Sequence, residues 1–252
     1  MKSYNIAVCF SGQIRTGIYA APNIKRFIGN LWDNCDFFIH TWDRSNEKPT
    51  PKQVSDGNEF GDEQTIDFET FNKIYNFKKI DITPRIPLGD RGQWLSWLLS
   101  IHLKQKYEIE NSKKYDYVVK LRPDIIYHKS LDLLDMIKNT PSKSASAIET
   151  FIDLSDDRVA SDILYIADSK TMDLLVNFVN TLPLITTCKS PHHALYNYAV
   201  DHGIVINDLN YGYFSKNYAV LRQQCISYCT LTEFDKCEKM DKLIYYPGMS
   251  KA

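Results

Sequence analysis

Tyr115-Asp116-Tyr117-Val118-Val119-Lys120-Leu121-Arg122-Pro123-Asp124 is the stretch whose reading decides the fold. A run of β-branched and aromatic residues bounded by polar ones predicts a buried strand. Pro123 ends it, because proline has no amide hydrogen to give to a sheet ladder. Arg122 and Asp124 are thereby placed at the strand's tip. In an open α/β sheet, ligands lie in the crevice beyond the carboxyl ends of the strands, so a cation and an anion planted there are placed for chemistry. Asp124 suits a divalent metal or a sugar hydroxyl, and Arg122 suits a phosphate.

Working outward, the chain repeats this pattern of buried strand followed by a polar turn. The first strand, 5–10, runs into Ser11-Gly12-Gln13-Ile14-Arg15-Thr16-Gly17. Glycines and small hydroxyl residues between a strand and a helix let backbone amides approach an anion, and Arg15 adds a charged fork. The loop is neither a Walker loop nor Gly-x-Gly-x-x-Gly. A helix over 22–31 and a second strand over 36–41 complete a βαβ unit, which requires a right-handed crossover and a parallel sheet. His40 falls at the end of that strand, where a hydrogen-bonded sheet histidine is expected.

The polar segment 44–67 has no periodicity and is expected to be a long loop beside the site. A short helix over 68–75, a strand over 77–83 and a loop over 84–92 follow. The strongest helix pattern, 93–111, carries Trp94, Trp97, Leu98 and Ile101 on a broad apolar stripe. Gln93 and Ser96 are expected in its first turn, facing the carboxyl edge of the sheet and able to touch a nucleotide or sugar. After Asp124, the sequence predicts a helix over 131–138, a strand over 147–152 and an acidic loop over 153–161. A strand over 162–167 then begins with Asp162. Asp168 or Ser169 is expected to cap a helix over 170–180. Ser190 and Pro191 open a further helix carrying His192 and His193, which Gly203 closes. Short strands over 204–207 and 218–222 end the pattern.

The whole chain, 1–252, therefore reads as one α/β domain, a mostly parallel central sheet flanked by helices. With 44% hydrophobic and 24% charged residues it has an ordinary globular composition. Thirty Lys and Arg against thirty-one Asp and Glu leave a formal net charge of -1, so no global field recruits nucleic acid. The opening apolar run, Ile6 to Phe10, is too short for a signal-peptide core, and no stretch approaches the ~18 residues of a membrane span. A cytoplasmic location is expected. The six cysteines, Cys9, Cys35, Cys188, Cys225, Cys229 and Cys237, are accordingly expected to be reduced. None forms a C-x-x-C pair of the kind that marks zinc.

The order Ile-Ala-Val-Cys-Phe-Ser-Gly-Gln-Ile-Arg-Thr, Asp-Phe-Phe-Ile-His-Thr-Trp-Asp, a Gln-x-x-Ser helix and Tyr-Asp-Tyr-Val-Val-Lys-Leu-Arg-Pro-Asp resembles a family of GT-A-like glycosyltransferases. Such proteins occur among bacterial surface-polysaccharide genes and in large DNA viruses; a viral member would work in the host cytoplasm. Ser161-Asp162 and the Pro191-led helix extend the likeness from about Ile6 to Arg222. It implies transfer of a sugar from a nucleotide-diphosphate donor to a hydroxyl of a glycan acceptor. Ser11, Gly12, Gln13, Arg15, Gln93, Ser96 and Arg122 would then hold the nucleotide sugar. Asp124 and Asp162 would be catalytic, Asp162 taking the acceptor proton or holding the hydroxyl.

The family's Asp-x-Asp motif implies a divalent cation, Mn²⁺ or Mg²⁺, on the donor diphosphate. Here Asp124, and on the later helix His193, would be the ligands. Arg122 replaces the first carboxylate of that motif, and a guanidinium can supply part of the same charge. Two other readings stay open at this point: another nucleotide-dependent transferase such as a sulfotransferase, and a binding module without turnover.

Overall fold

The computed structural model describes residues 4–45, 64–65, 67–84, 91–127, 131–147, 150–152, 158–160, 162–182, 191–208 and 218–220. Seven strands form the central sheet: β1 (Ile6–Ser11), β2 (Cys35–Trp42), β3 (Lys79–Thr83), β4 (Tyr117–Leu121), β5 (Ser144–Ala147), β6 (Leu164–Asp168) and β7 (Val205–Asp208), in the order β7-β5-β6-β4-β1-β2-β3. The strand predicted from Tyr115 to Leu121 is its centre, with β1 parallel on one side. β6 lies on the other side and runs antiparallel to both β4 and β5; all other adjacent pairs in this sheet are parallel. The expected α/β fold with a mostly parallel sheet is what the chain forms.

Both faces are covered. α1 (Gly17–Ile28), α2 (Phe68–Tyr75) and α4 (Leu133–Lys138) bury Ile24, Phe27, Phe71 and Leu133 against Val8, Phe10 and Val119. α3 (Arg91–Asn111), α5 (Ser169–Leu175) and α6 (Pro191–Asp201) cover the other face, where Trp94, Trp97 and Ile101 meet Phe38, Val118 and Tyr165. Strands buried on both faces read as continuous apolar runs, as Ile6 to Phe10 of β1 do, and all six residues of that strand are buried. Asp67 and Asp168 cap α2 and α5 by accepting hydrogen bonds from the amides of Thr70 and Thr171. Among the described helices, none is long and apolar enough to cross a membrane.

Several boundaries differ from expectation. α1 starts at Gly17, five residues before Pro22, and Pro22 lies inside the helix. The helix tolerates the missing amide because its apolar face, including Ile24, Phe27 and Ile28, is buried against the sheet. The strand expected over 147–152 is two strands. Ser144–Ala147 joins the sheet, while Thr150–Ile152 pairs antiparallel with Arg158–Ala160 inside the stretch expected as an acidic loop. Small Ser and Ala side chains have little strand propensity, and Ser144–Ala147 is a strand because neighbours on both sides supply its ladder.

The helix predicted over 170–180 is α5 followed by a 3₁₀ turn over Val176–Thr181. Tyr218–Val220 pairs with Ile125–Tyr127 and not with the main sheet. Within the segment expected to be loop, Arg44–Ser45 pairs with Gln64–Thr65. Cys9 and Cys35 are free thiols. Ser190 and the other four cysteines lie outside the described residues.

Candidate active site

The turn after β1 is held open by a four-residue network. Gly12 adopts φ 103°, a left-handed conformation that favours glycine. Its N–H donates to Ser96 Oγ at 2.7 Å. Ser96, on α3, donates its own proton to the His40 carbonyl at 3.0 Å, and His40 Nδ1 lies 2.9 Å from Ser96 Oγ. His40 Nε2 is 3.0 Å from Thr83 Oγ1. A serine hydroxyl has one donor and two acceptor sites, so this pattern assigns the proton to His40 Nδ1 and makes Nε2 the acceptor.

Ser96, expected to touch a nucleotide or sugar, is fully buried here, and its hydrogen-bonding capacity is engaged by Gly12 and His40. It acts by fixing the loop. The Gly12 amide, already engaged by Ser96, is likewise not an open donor for an anion.

Burial pushes His40 down to about 4, with only the Asp81 charge opposing. The unfolded chain takes up a proton near pH ~6.5 while the folded chain does not, so this histidine supports folding above that pH. That support is lost as pH falls from ~6.5 toward about 4, by ~3 kcal/mol at most. Urea unfolding of the wild type should therefore show a steeper acid loss of stability across this window than that of His40→Gln.

Arg122 follows β4 directly and fans across two carboxylates. Its Nε and one terminal nitrogen reach Asp124 Oδ1 and Oδ2, each at 3.0 Å, and the other reaches Asp162 Oδ2 at 3.1 Å. The paired contact to Asp124 is the fork geometry in which guanidinium binds carboxylate best. From the β1 loop, Arg15 donates to Asp124 Oδ2 at 3.2 Å and, through Nε, to Gln13 Oε1 at 2.7 Å. Arg15 itself has φ 43°, a strained backbone for a residue with a Cβ. A Cβ on Gly17 would meet Pro123 Cβ and the Pro123 carbonyl at 3.2 Å, so the two loops are in direct contact.

Asp162 joins the cluster because β6 is antiparallel. Leu164 pairs with Leu121, and Asp162 precedes that pair just as Arg122 follows it. Lys120, fully buried in β4, donates to the Asp162 carbonyl, and its ammonium sits 5.6 Å from the centre of the Trp97 ring. Burial pushes Lys120 down to about 7, against the pull of Asp162. For Asp162, burial raises the carboxyl, but the charges of Arg122, then Lys120, then His192, hold it below its ordinary value. It is ionised at neutral pH and is a weak base.

The remaining expected residues divide. Ser11 ends β1 and is buried, and Gln93 is half-buried in the first turn of α3. His193 is buried on α6, whereas it is His192 whose charge reaches Asp162; His192 Nδ1 contacts the Ala160 carbonyl at 2.7 Å and its ring meets Trp94. Lys120 joins the site from within β4. A charged residue inside a run of buried strand positions was the available signal.

A divalent ion needs carboxylate oxygens it can reach. Asp124 has both oxygens occupied by guanidinium, and Asp162 shares the same arginine. Among the described residues, no group of three His, Cys, Asp or Glu could hold a metal ion. The residues present do not fit the implied cation.

The sheet and the two loop tips define an α/β protein that gathers two arginines and two carboxylates at the carboxyl edge of its central strands. No family model and no curated protein matches the sequence. Among solved structures, the chain is similar to the crystal structure of a glycosyltransferase involved in the glycosylation of the major capsid of PBCV-1. The two share 11% identity with a TM-score of 0.38, over 81% of this chain and 82% of that one.

Proposed function

We propose that this protein is a glycosyltransferase that moves a sugar from a nucleotide-diphosphate donor to a hydroxyl of a glycan acceptor. The observation that carries the reading is convergence. Arg15 from the β1 loop, Arg122 and Asp124 from the tip of β4, and Asp162 from the start of β6 are joined by direct hydrogen bonds at one edge of the sheet. Cationic forks there suit a diphosphate, and a carboxylate beside them suits a sugar or acceptor hydroxyl.

In the reaction, the anomeric carbon exchanges its bond to the diphosphate oxygen for one to the acceptor oxygen. The diphosphate leaves with the bonding electron pair, and the acceptor proton passes to water. Because Asp162 is held ionised, its part is to accept a hydrogen bond from the acceptor hydroxyl and orient it; a strong general base would need a carboxyl raised toward neutrality.

Incubation with a panel of UDP-, GDP- and CMP-sugars should give hydrolysis of at least one donor. Asp124→Asn should slow that hydrolysis by ~100-fold while leaving the fold intact by circular dichroism. A melt in which only a bisphosphate nucleotide raises the midpoint would instead favour sulfonate transfer. Donor binding without any turnover would favour a binding module.

A further inference from the structure

We propose that Arg15 and Arg122 seat the donor diphosphate directly, with no divalent cation between phosphate and protein. This rests on the glycosyltransferase reading for the identity of the ligand, but its physical basis is the charge and exposure of the cluster. Among the described residues, two arginines balance the two carboxylates of the cluster, so it presents no excess negative charge to a dication, even with Lys120 neutral. With Lys120 charged, the cluster is positive.

Exposure points the same way. The Asp124 side chain is 2% exposed, whereas those of Arg15 and Arg122 are 20% and 18% exposed. What an incoming ligand meets first is guanidinium. Arg122 has five N–H donors, of which three are used on Asp124 and Asp162. The other two make no hydrogen bond among the described residues and are available to phosphate oxygens.

Asp124 then works as the clamp that holds both arginines, through shared contacts to Oδ2, and not as a metal ligand. A guanidinium pair set in this way neutralises the departing diphosphate, the charge a metal would otherwise carry. The strained backbone at Arg15 is consistent with a side chain whose position is fixed by the site.

Calorimetric titration of the full chain with inorganic pyrophosphate, once in EDTA and once in MnCl₂, tests this. Binding is expected in EDTA, within about tenfold of the affinity in manganese, and MnCl₂ alone should give no site heat. Arg122→Lys and Arg15→Lys keep the charge but lose the fork, and each should weaken pyrophosphate roughly tenfold or more while remaining folded. Arg15 lies on a loop, so its variant serves if the Arg122 change disturbs the core.

Pyrophosphate binding that requires manganese overturns the proposal, as does binding absent from both buffers or unchanged in both folded variants. Metal-free pyrophosphate binding with no hydrolysis of any nucleotide sugar would sink the transferase reading and leave the seat standing. Manganese-dependent binding with active hydrolysis would do the reverse.

Discussion

Arg122→Met is expected to destabilise the fold by about 3–5 kcal/mol at neutral pH, the usual consequence of removing one partner from a buried charge cluster. Asp124 loses both of its fork contacts and Asp162 loses its only arginine hydrogen bond in the cluster. Arg15 still reaches Asp124, but through one nitrogen at 3.2 Å. The arginine's own burial cost is removed by the change, yet two carboxylates remain behind in a site that no longer neutralises them.

Their pKa values in the folded variant should rise, since desolvation then acts on them with less opposition. A carboxyl raised in the folded state supports folding at low pH and withdraws that support as pH rises. The deficit of the variant should therefore be greatest near pH ~7 and narrow on acidification toward ~5. Urea unfolding at both pH values measures it. Adding Asp124→Asn to the variant should recover part of the loss, because a neutral amide there needs no counter-charge. A deficit independent of pH would mean that the cluster's contribution is packing and not charge.

Trp97→Ala is expected to cost about 3–5 kcal/mol through the cavity it leaves. Trp97 is fully buried in α3, stacks on Tyr165 at 4.9 Å with 23° between planes, and contacts Trp94 and Phe178. Its indole N–H has no hydrogen-bond partner among the described residues, so what it contributes there is volume and ring face. Trp97→Phe should consequently be far milder, about 1–2 kcal/mol by chemical denaturation, since it keeps an aromatic face and removes an unsatisfied donor.

The ring also lies beneath the Lys120 ammonium, which bonds the Asp162 carbonyl. On the proposed function, Trp97→Ala should thus weaken nucleotide-sugar hydrolysis beyond its effect on stability, measured on the folded fraction at a temperature well below the melting point. Equal activity per folded molecule would show that the lysine is held by Asp162 alone.

Much of this molecule was legible before its coordinates. The run from Tyr115 to Leu121 carries apolar residues on both faces, as a strand covered by helices above and below does, and Pro123 marks where its ladder stops. The Gly12 turn, the α3 stripe and the Asp168 cap are local signals of the same kind, each decided within a few residues. Ser144–Ala147 was poorly legible for the converse reason, since nothing in Ser-Ala-Ser-Ala prefers a strand until β5 lies between β6 and β7.

The site divides along the same line. Sequence alone fixed the residues available at each loop, because charge, fork geometry and chain-breaking proline are properties of Arg15, Arg122, Pro123 and Asp124 themselves. Tertiary structure alone decided how they are used. Only the reversed direction of β6 brings Asp162 to the carboxyl edge, since a parallel strand would carry its first residues to the opposite edge. Only three-dimensional packing turns Ser96 inward onto Gly12 and His40, and ties both oxygens of Asp124 to arginine. Hydrogen-bond partners far apart in the chain depend on strand order and direction, which no local pattern of residues encodes.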